Sequence, residues 1–554
     1  MAALCAVMCL WVLAFTPDPV AAAVVPGVVA GLALVEGAGS FRRAALWLAL
    51  FGAVAIGVGY RWLVPTVRLF GGLGTPAAIG VLILFSVAGT VHAILFAGLY
   101  RLLFARGVRP HPLATATLLV ACELLPIRFF PWTAGHGSVD VAPLRQLAEW
   151  GGLPLVSFAT LCFAVPVHEL LRWALAERGP PARPRAAAAT VLVGIALFGA
   201  GWLRYRSVAA AEAGASERVR VAVVQADVGS TDKRAQEQGE AEAARVARER
   251  YERLTRDAAE AGAELIVWPE TAIVGRPKSV TLWDPVARRA PEPAAVSADL
   301  ARLGYGWLEE VGRDRTLLLG GYEDERRKAG LAGNRPFVRY NAAMLREPGG
   351  ASWSIYRKVK LIPFGETNPL GDVLPALDAH MPRAFPMEAG DRSQPPLPWK
   401  AKGKTIVPFV CYEAILPDFV WERARGAEAP DLLVNLTNDS WFGDTWEPHQ
   451  HLNFTRFRAV EHGLPLVRST NTGVSAFVSA AGDVVKSLGV GEAGALLHDV
   501  PLRDRGRTVY GRVGGWVRWV FWAGAVVALF AALLRGAPSE TPRPAGPGRR
   551  PSRE

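Results

Sequence analysis

The chain has 554 residues, of which 51% are hydrophobic and 20% charged, and a formal net charge of +11. That is too apolar for an ordinary soluble enzyme and too charged for a pure membrane bundle, so a combination of the two is expected. The basic excess does not read as a nucleic-acid groove, because the arginines mostly stand at the ends of apolar segments.

In chain order, apolar runs suited to membrane helices lie near 3–15, 20–38, 43–59, 78–100, 112–127, 152–171 and 187–203, with an eighth near 515–534. A crossing helix needs about 20 apolar residues, so the first and fifth are short. The turns on one side carry Arg42 and Arg43, then Arg101, Arg106 and Arg109, then Arg172, Arg178, Arg183 and Arg185. Turns on the other side carry only Arg61, Arg68, Arg128 and Arg145. The positive-inside rule places the richer set in the cytoplasm. The expectation is a bundle of about seven spans over 1–206 and a linker over 207–217. A domain over 218–503 then faces the periplasm. An interfacial linker and last helix follow over 504–535, then a disordered cytoplasmic tail over 536–554.

The polar region reads as one α/β domain. Strand patterns occur at Arg218–Gln225, Glu264–Trp268, Thr316–Gly320, Asn341–Leu345, Ile406–Val410, Leu432–Leu436, Pro465–Arg468 and Val474–Ser479. Residues 233–261 have helical spacing, and Gly320-Gly321 reads as a turn. Strands interleaved with helices suggest stacked sheets covered by helices. Asn368–Pro386, apolar among prolines and glycines, reads as a lid touching the bilayer.

Of the five cysteines, only Cys411 lies in the polar region, at the end of the apolar run Thr405–Val410. A thiol needs a base and a nearby cation before it acts as a nucleophile. Glu264–Glu270 is an apolar strand ending on a carboxylate, and Tyr356–Glu366 places lysines before a compact turn and a second carboxylate. Together these segments supply base, cation and nucleophile. His449 and His451 do not read as a metal pair, because residues two apart on a helix do not face one site. Glu123 and the His168-Glu169 pair read as interfacial, close to span ends.

Four motifs stand in order: Trp268-Pro269-Glu270, then Tyr356-x-Lys358-x-x-Leu361-x-Pro363-Phe364-Gly365-Glu366, then Cys411-Tyr412-Glu413, then Asn438-Asp439-Ser440-Trp441-Phe442-Gly443. They resemble the carbon–nitrogen hydrolase (nitrilase) superfamily, and with the spans they resemble the bacterial apolipoprotein N-acyltransferase family. Arg458-Ala459-Val460-Glu461, Pro465–Arg468 and Asn471-Thr472-Gly473 extend the likeness. The resemblance implies an α-β-β-α sandwich beside about eight transmembrane helices. It makes Glu270 the general base, Lys358 the oxyanion-stabilising cation and Cys411 the nucleophile, with Lys360 a surface charge. It gives supporting roles to Glu366, Asn341, Tyr412, Glu413 and Trp441. It implies transfer of an acyl chain from a phospholipid, phosphatidylethanolamine foremost, through a cysteine thioester. The acceptor would be the α-amine of a diacylglyceryl apolipoprotein at the bacterial inner membrane, and neither cofactor nor metal is implied. One departure is Gln225-Ala226-Asp227-Val228-Gly229, where the family has Gln-Gly-Asn and a tryptophan-bearing loop. The rival readings are a membrane-tethered amidase using the same three residues, and a receptor with an inert sensor domain.

Overall fold

The computed structural model describes residues 10–535 except 106–107, 126–128, 176–182, 230–240, 274–292, 327–336, 351, 369–386, 427–429 and 503–506. The expected lid, apart from Asn368, and the expected disordered tail therefore lie outside the described residues.

The N-terminal part is helical: α1 (Val24–Gly37), α2 (Phe41–Gly59), α3 (Leu63–Gly71), α4 (Thr75–Ala88), α5 (Val91–Ala105), α6 (Pro112–Glu123), α7 (Ala148–Ala174) and α8 (Pro184–Ala213). Among the described residues, five stretches are long and apolar enough to cross a membrane: 41–59, 75–104, 148–174, 184–213 and 509–534. Two expected spans come out differently. Of the first, Leu10–Phe15 is a 3₁₀ helix whose Phe15 stacks on Trp132 at 3.8 Å, and residues 3–9 lie outside the described residues. Helix α6 has only 12 residues, about 18 Å of rise against a hydrocarbon layer of about 30 Å.

One end of this bundle is tied by buried charge. Arg109 donates to Glu36 at 3.0 Å and to Glu169 at 3.1 Å, and Arg172 and His168 also reach Glu36. His168 and Glu169 are thus inside the bundle and paired, as is Glu123, which accepts from the Ala134 N–H at 2.9 Å. A buried charge that loses its partner is costly. Arg109→Ala is therefore expected to lower stability by about 3 kcal/mol or more, read as an earlier thermal unfolding midpoint in detergent.

Residues 218–501 form two six-stranded sheets. The first runs in the order β12 (Gly494–Pro501), β1 (Arg218–Gln225), β2 (Leu265–Val267), β3 (Thr316–Arg326), β4 (Phe337–Arg346), β5 (Trp353–Arg357). The second runs β11 (Val484–Leu488), β10 (Ser475–Val478), β9 (Leu466–Thr470), β8 (Leu432–Thr437), β7 (Lys404–Val410), β6 (Leu397–Trp399). In each sheet the three central strands, β1-β2-β3 and β7-β8-β9, are parallel. Alternate residues of the two sheets meet in one core: Val221, Val223, Leu265, Val267 and Leu318 face Ile406, Val410, Val434, Leu436 and Phe477. Helices α9 (Ala241–Glu260) and α10 (Pro293–Arg302) cover the first sheet. Helices α11 (Pro417–Ala424) and α12 (Glu447–His462) cover the second.

Gly320-Gly321 is not a turn; it lies inside β3. A Cβ on Gly320 would stand 2.0 Å from the Pro269 carbonyl oxygen, so glycine there lets the segment before Glu270 lie flat on the strand.

Helix α12 is polar in sequence yet buried almost all round. Its far face meets the bundle: Trp62 donates to Gln450 at 2.9 Å, Gln450 donates to the Gly59 carbonyl at 3.0 Å, Asn453 to the Pro17 carbonyl at 2.9 Å, and Arg456 to Asp140 at 2.6 Å. A helix buried on both faces needs side chains that satisfy backbone and polar groups on both sides, which accounts for its composition. The last helices, α13 (Val509–Val513) and α14 (Val517–Arg535), return the chain to the bundle, where Phe521 and Ala525 join its core.

Candidate active site

Three chain segments deliver their functional side chains from the C-terminal ends of strands. The strand β2 ends at Val267, and Trp268 then anchors the exit: its N–H bonds the Leu318 carbonyl at 2.8 Å and its indole N–H bonds Thr255 at 3.0 Å. Pro269 stops the ladder and Glu270 follows, 5% exposed. Lys358 follows β5 and is fully buried. Cys411 follows β7 with φ at +52°, a left-handed conformation that is strained for a side-chain-bearing residue. Thr271 and Phe364, beside Glu270 and Glu366, share that conformation at +51° and +63°. Strain at three points around one site marks a backbone held by its surroundings in a working geometry.

The side chains form a compact polar cluster. The Lys358 ammonium donates to Glu366 Oε1 at 2.8 Å and to Glu270 Oε1 at 3.3 Å. The Asn341 amide donates to Glu270 Oε1 at 2.6 Å and to Glu366 Oε1 at 3.3 Å. Glu366 is itself fixed by the Ile362 N–H on its other oxygen at 2.9 Å. Burial pulls the Lys358 ammonium towards neutrality, but the Glu270 and Glu366 carboxylates outweigh it and hold its pKa above the ordinary lysine value. Burial, reinforced by Glu270 and opposed by Lys358, pushes the Cys411 thiol well above its ordinary value. The resting sulfur is therefore a thiol, and reaction requires a proton acceptor next to it. The Glu270 carboxylate is among the groups that face it.

The elbow at Cys411 is buckled by Glu413. One carboxylate oxygen accepts from the Tyr356 hydroxyl at 2.8 Å, the Val359 N–H at 2.6 Å and the Lys360 N–H at 3.0 Å. The other accepts from the Val410 N–H at 2.8 Å. Glu413 thus ties the strand bearing Cys411 to the segment bearing Lys358, and it is fully buried. Tyr412 and Trp441 point to the bundle instead. The Tyr412 hydroxyl donates to the Phe129 carbonyl at 2.5 Å, and Trp441 packs on Phe70 with ring centroids 4.2 Å apart. Phe129 and Phe364 form an exposed edge-to-face pair at 6.2 Å.

Behind Cys411 lies a second buried cluster not assembled from the sequence. Asp439, Glu447 and His451 bring their ligating atoms within 4.8 Å of one another. The Arg468 guanidinium supplies the positive charge there, donating to Asp439 Oδ2 at 2.7 Å. His451 joins this cluster without His449, because its partners come from the loop after β8 and from one turn earlier on α12. In the sequence its pieces stand apart, in Asn438–Gly443, His451 and Pro465–Arg468, with no spacing that joins them.

Comparison with known proteins agrees with this architecture. Residues 220–510 match the carbon-nitrogen hydrolase family model, and residues 8–166 match the apolipoprotein N-acyltransferase N-terminal domain. A protein of Azotobacter vinelandii named apolipoprotein N-acyltransferase is 33% identical over 512 residues, covering 89% of this chain and 87% of its own. One of the same name from Bradyrhizobium diazoefficiens is 31% identical, covering 87% of this chain and 85% of its own. Among solved structures, a nitrilase-superfamily amidase from Nesterenkonia aligns with a TM-score of 0.34 at 21% identity, over 55% of this chain and 97% of that one. On the sequence matches, which span both the helical part and the sandwich, this chain belongs to the apolipoprotein N-acyltransferase family of carbon–nitrogen hydrolases.

Proposed function

We propose that Glu270, Lys358 and Cys411 carry out acyl transfer from a phospholipid to the α-amine of a diacylglyceryl apolipoprotein. The observation that carries this reading is the strained, buried Cys411 beside a lysine held between two carboxylates. The family fixes the coarser statement: the chain is an N-acyltransferase of lipoprotein maturation.

In the first half-reaction Glu270 accepts the thiol proton and the sulfur attacks the ester carbonyl. Lys358 and the N–H of Tyr412 stabilise the oxyanion. The tetrahedral intermediate expels the lysophospholipid alkoxide, which takes the proton back from Glu270, and a thioester remains. In the second half-reaction the amine attacks the thioester, Glu270 takes its proton, the thiolate leaves as the amide forms, and Glu270 returns the proton to the sulfur to restore the resting thiol. Glu366 and Asn341 hold Lys358 and Glu270 in register. Tyr412 and Trp441, packed against the bundle, shape the lipid side of the site. Phosphatidylethanolamine is the proposed donor.

The sandwich over 218–503 works in the periplasm, with the bundle over 1–206 and the last helix over 504–535 in the inner membrane. Support comes from the arginine-rich turns: Arg101, Arg109 and Arg172, from three segments of the bundle, gather around Glu36. Eight crossings follow if 3–15 and the short α6 complete their passages together with flanking residues.

The test is mass spectrometry of the purified protein after incubation with phosphatidylethanolamine, beside Cys411→Ala. One added acyl chain, removed by hydroxylamine, absent in the variant and discharged onto a diacylated lipopeptide, is the expected result. Folded protein that forms no adduct yet releases ammonia from a small amide overturns the lipid-donor reading in favour of an amidase.

A further inference from the structure

We infer that Ser469 is a positioning residue for the reaction: its hydroxyl fixes the strand that carries Glu270 against the sheet that carries Cys411. The inference rests on Glu270 being the base and Cys411 the nucleophile.

The two reacting side chains stand on different sheets. Glu270 follows β2 of the first sheet, and its partners Asn341 and Lys358 come from β4 and from the end of β5 in that same sheet. Cys411 follows β7 of the second sheet. Bonds within the first sheet therefore leave open how far Glu270 stands from the sulfur, which is set by contacts across the core. That core is lined largely by valine, leucine and isoleucine. Their burial presses the sheets together but favours no one sliding position, because the hydrophobic effect is non-directional. A hydrogen bond has both a length and a direction.

Ser469 supplies such a bond at the level of the site. In the second sheet Val410 pairs with Leu436 and Leu436 pairs with Ser469, so Ser469 lies in the cross-strand row that immediately precedes Cys411. Its side chain shares a face of β9 with Val467, which packs in the core between the sheets. The hydroxyl crosses that core and donates to the Val267 carbonyl at 3.2 Å. Val267 is the last residue of β2, three before Glu270. Both residues are fully buried. A hydroxyl in such a place carries a desolvation cost that alanine would avoid, and the bond to Val267 offsets it.

Glu413 makes the corresponding link on the other side, from the Cys411 elbow to Tyr356 and Val359 in the segment bearing Lys358. The base and the cation are thus tied separately to the sheet of the nucleophile. Two further bonds cross the core, from Thr470 to Gln225 on β1 at 2.8 Å and from the Trp399 indole on β6 to Thr316 on β3 at 2.8 Å. Neither lands on β2. Transfer of the thiol proton depends on the distance from Cys411 to Glu270, and a misplacement of about 1 Å can cost about a hundredfold in rate.

The test uses the full chain in detergent and follows acyl-enzyme formation in a single turnover over a range of phospholipid concentrations. Ser469→Ala is expected to lower the maximal acylation rate about tenfold. The half-saturating lipid concentration stays unchanged, because no lipid contact is lost. Ser469→Thr keeps the hydroxyl and recovers most of the rate. Thr316→Val removes a cross-sheet bond at the far end of the strands; it lowers the unfolding midpoint and leaves the acylation rate at the wild-type level. Because Ser469 acts through Glu270, adding Ser469→Ala to Glu270→Gln costs less than about twofold further. A wild-type rate in Ser469→Ala overturns the inference. So does an equal loss of rate in Thr316→Val, or a full tenfold further loss in the double variant, since either makes the hydroxyl a general brace of the fold. Should the alanine variant fail to fold, Ser469→Cys, of similar size and with a much weaker donor, takes its place with the same outcomes. Wild-type protein that forms no Cys411 adduct, or a Glu270→Gln variant that acylates at the wild-type rate, overturns the catalytic assignments instead, a separate result.

Discussion

Lys358→Met is expected to slow acyl-enzyme formation by about a thousandfold while leaving the protein folded. Loss of one oxyanion donor typically costs about 10²–10³ in rate. Here the loss is compounded, because the ammonium also separates Glu270 from Glu366, whose Oε1 atoms both receive the same Asn341 amide nitrogen. Without the cation those two carboxylates face each other across a buried space. Such pairs share a proton, and a Glu270 that has taken one up cannot accept another. The thermal unfolding midpoint is also expected to fall, because removing the fully buried ammonium leaves the buried Glu270 and Glu366 carboxylates without their cation. Arginine is not expected to rescue, since its planar fork does not fit the place of a compact ammonium held from two sides. Single-turnover acylation, with thermal unfolding as the control, measures both effects.

Glu270→Gln carries the second large effect, a fall of about 10²–10⁴ in kcat/KM at neutral pH. Glutamine keeps the shape and can still meet Asn341 or Lys358, but it cannot take the thiol proton. The Cys411 thiol is held well above its ordinary pKa by burial, so the residual rate depends on hydroxide removing that proton. The variant is expected to gain activity steadily as pH rises, where wild type has already levelled off. A flat profile at reduced rate would instead assign Glu270 a purely structural part. The comparison needs only kcat/KM against pH for the two proteins.

Much of this site was legible because strand ends write themselves into sequence. Thr405–Val410 and Leu265–Val267 are short apolar runs cut off by a turn, and a reactive side chain at the cut is a local signal. The stacked sheets followed from the same runs. Other parts were hidden for physical reasons. The edge strand β11 is exposed along most of its length, so it carries no apolar pattern to read. β6 has three residues, too few for any period to emerge. The two glycines inside β3 look like punctuation, and only the nearness of Pro269 to Gly320, and of Met344 and Ile273 to Gly321, explains them. Helix α12 is polar but buried because it packs Leu452 and Ala459 on the second sheet while its polar side chains bond the bundle on the other face. The cluster of Thr437, Asp439, His451 and Arg468 comes from the end of β8, a loop, a helix and the middle of β9, and spacing along a chain cannot show such a convergence.

The first and last strands of the sandwich lie side by side, from Arg218 opposite Pro501 to Gln225 opposite Gly494. Each continues into an apolar helix, α8 before and α14 after, by way of short connections. The enzyme's chemistry is thus housed in a near-closed ring of chain clasped at one point. A ring behaves differently from a string under attack: one backbone cut within it frees no fragment, since both pieces remain fastened at the clasp and in the bundle. It also has fewer ways to be unfolded, because its ends cannot drift apart. Such a protein is expected to survive a single nick with its reaction chamber intact, and to be lost only when the clasp itself is opened.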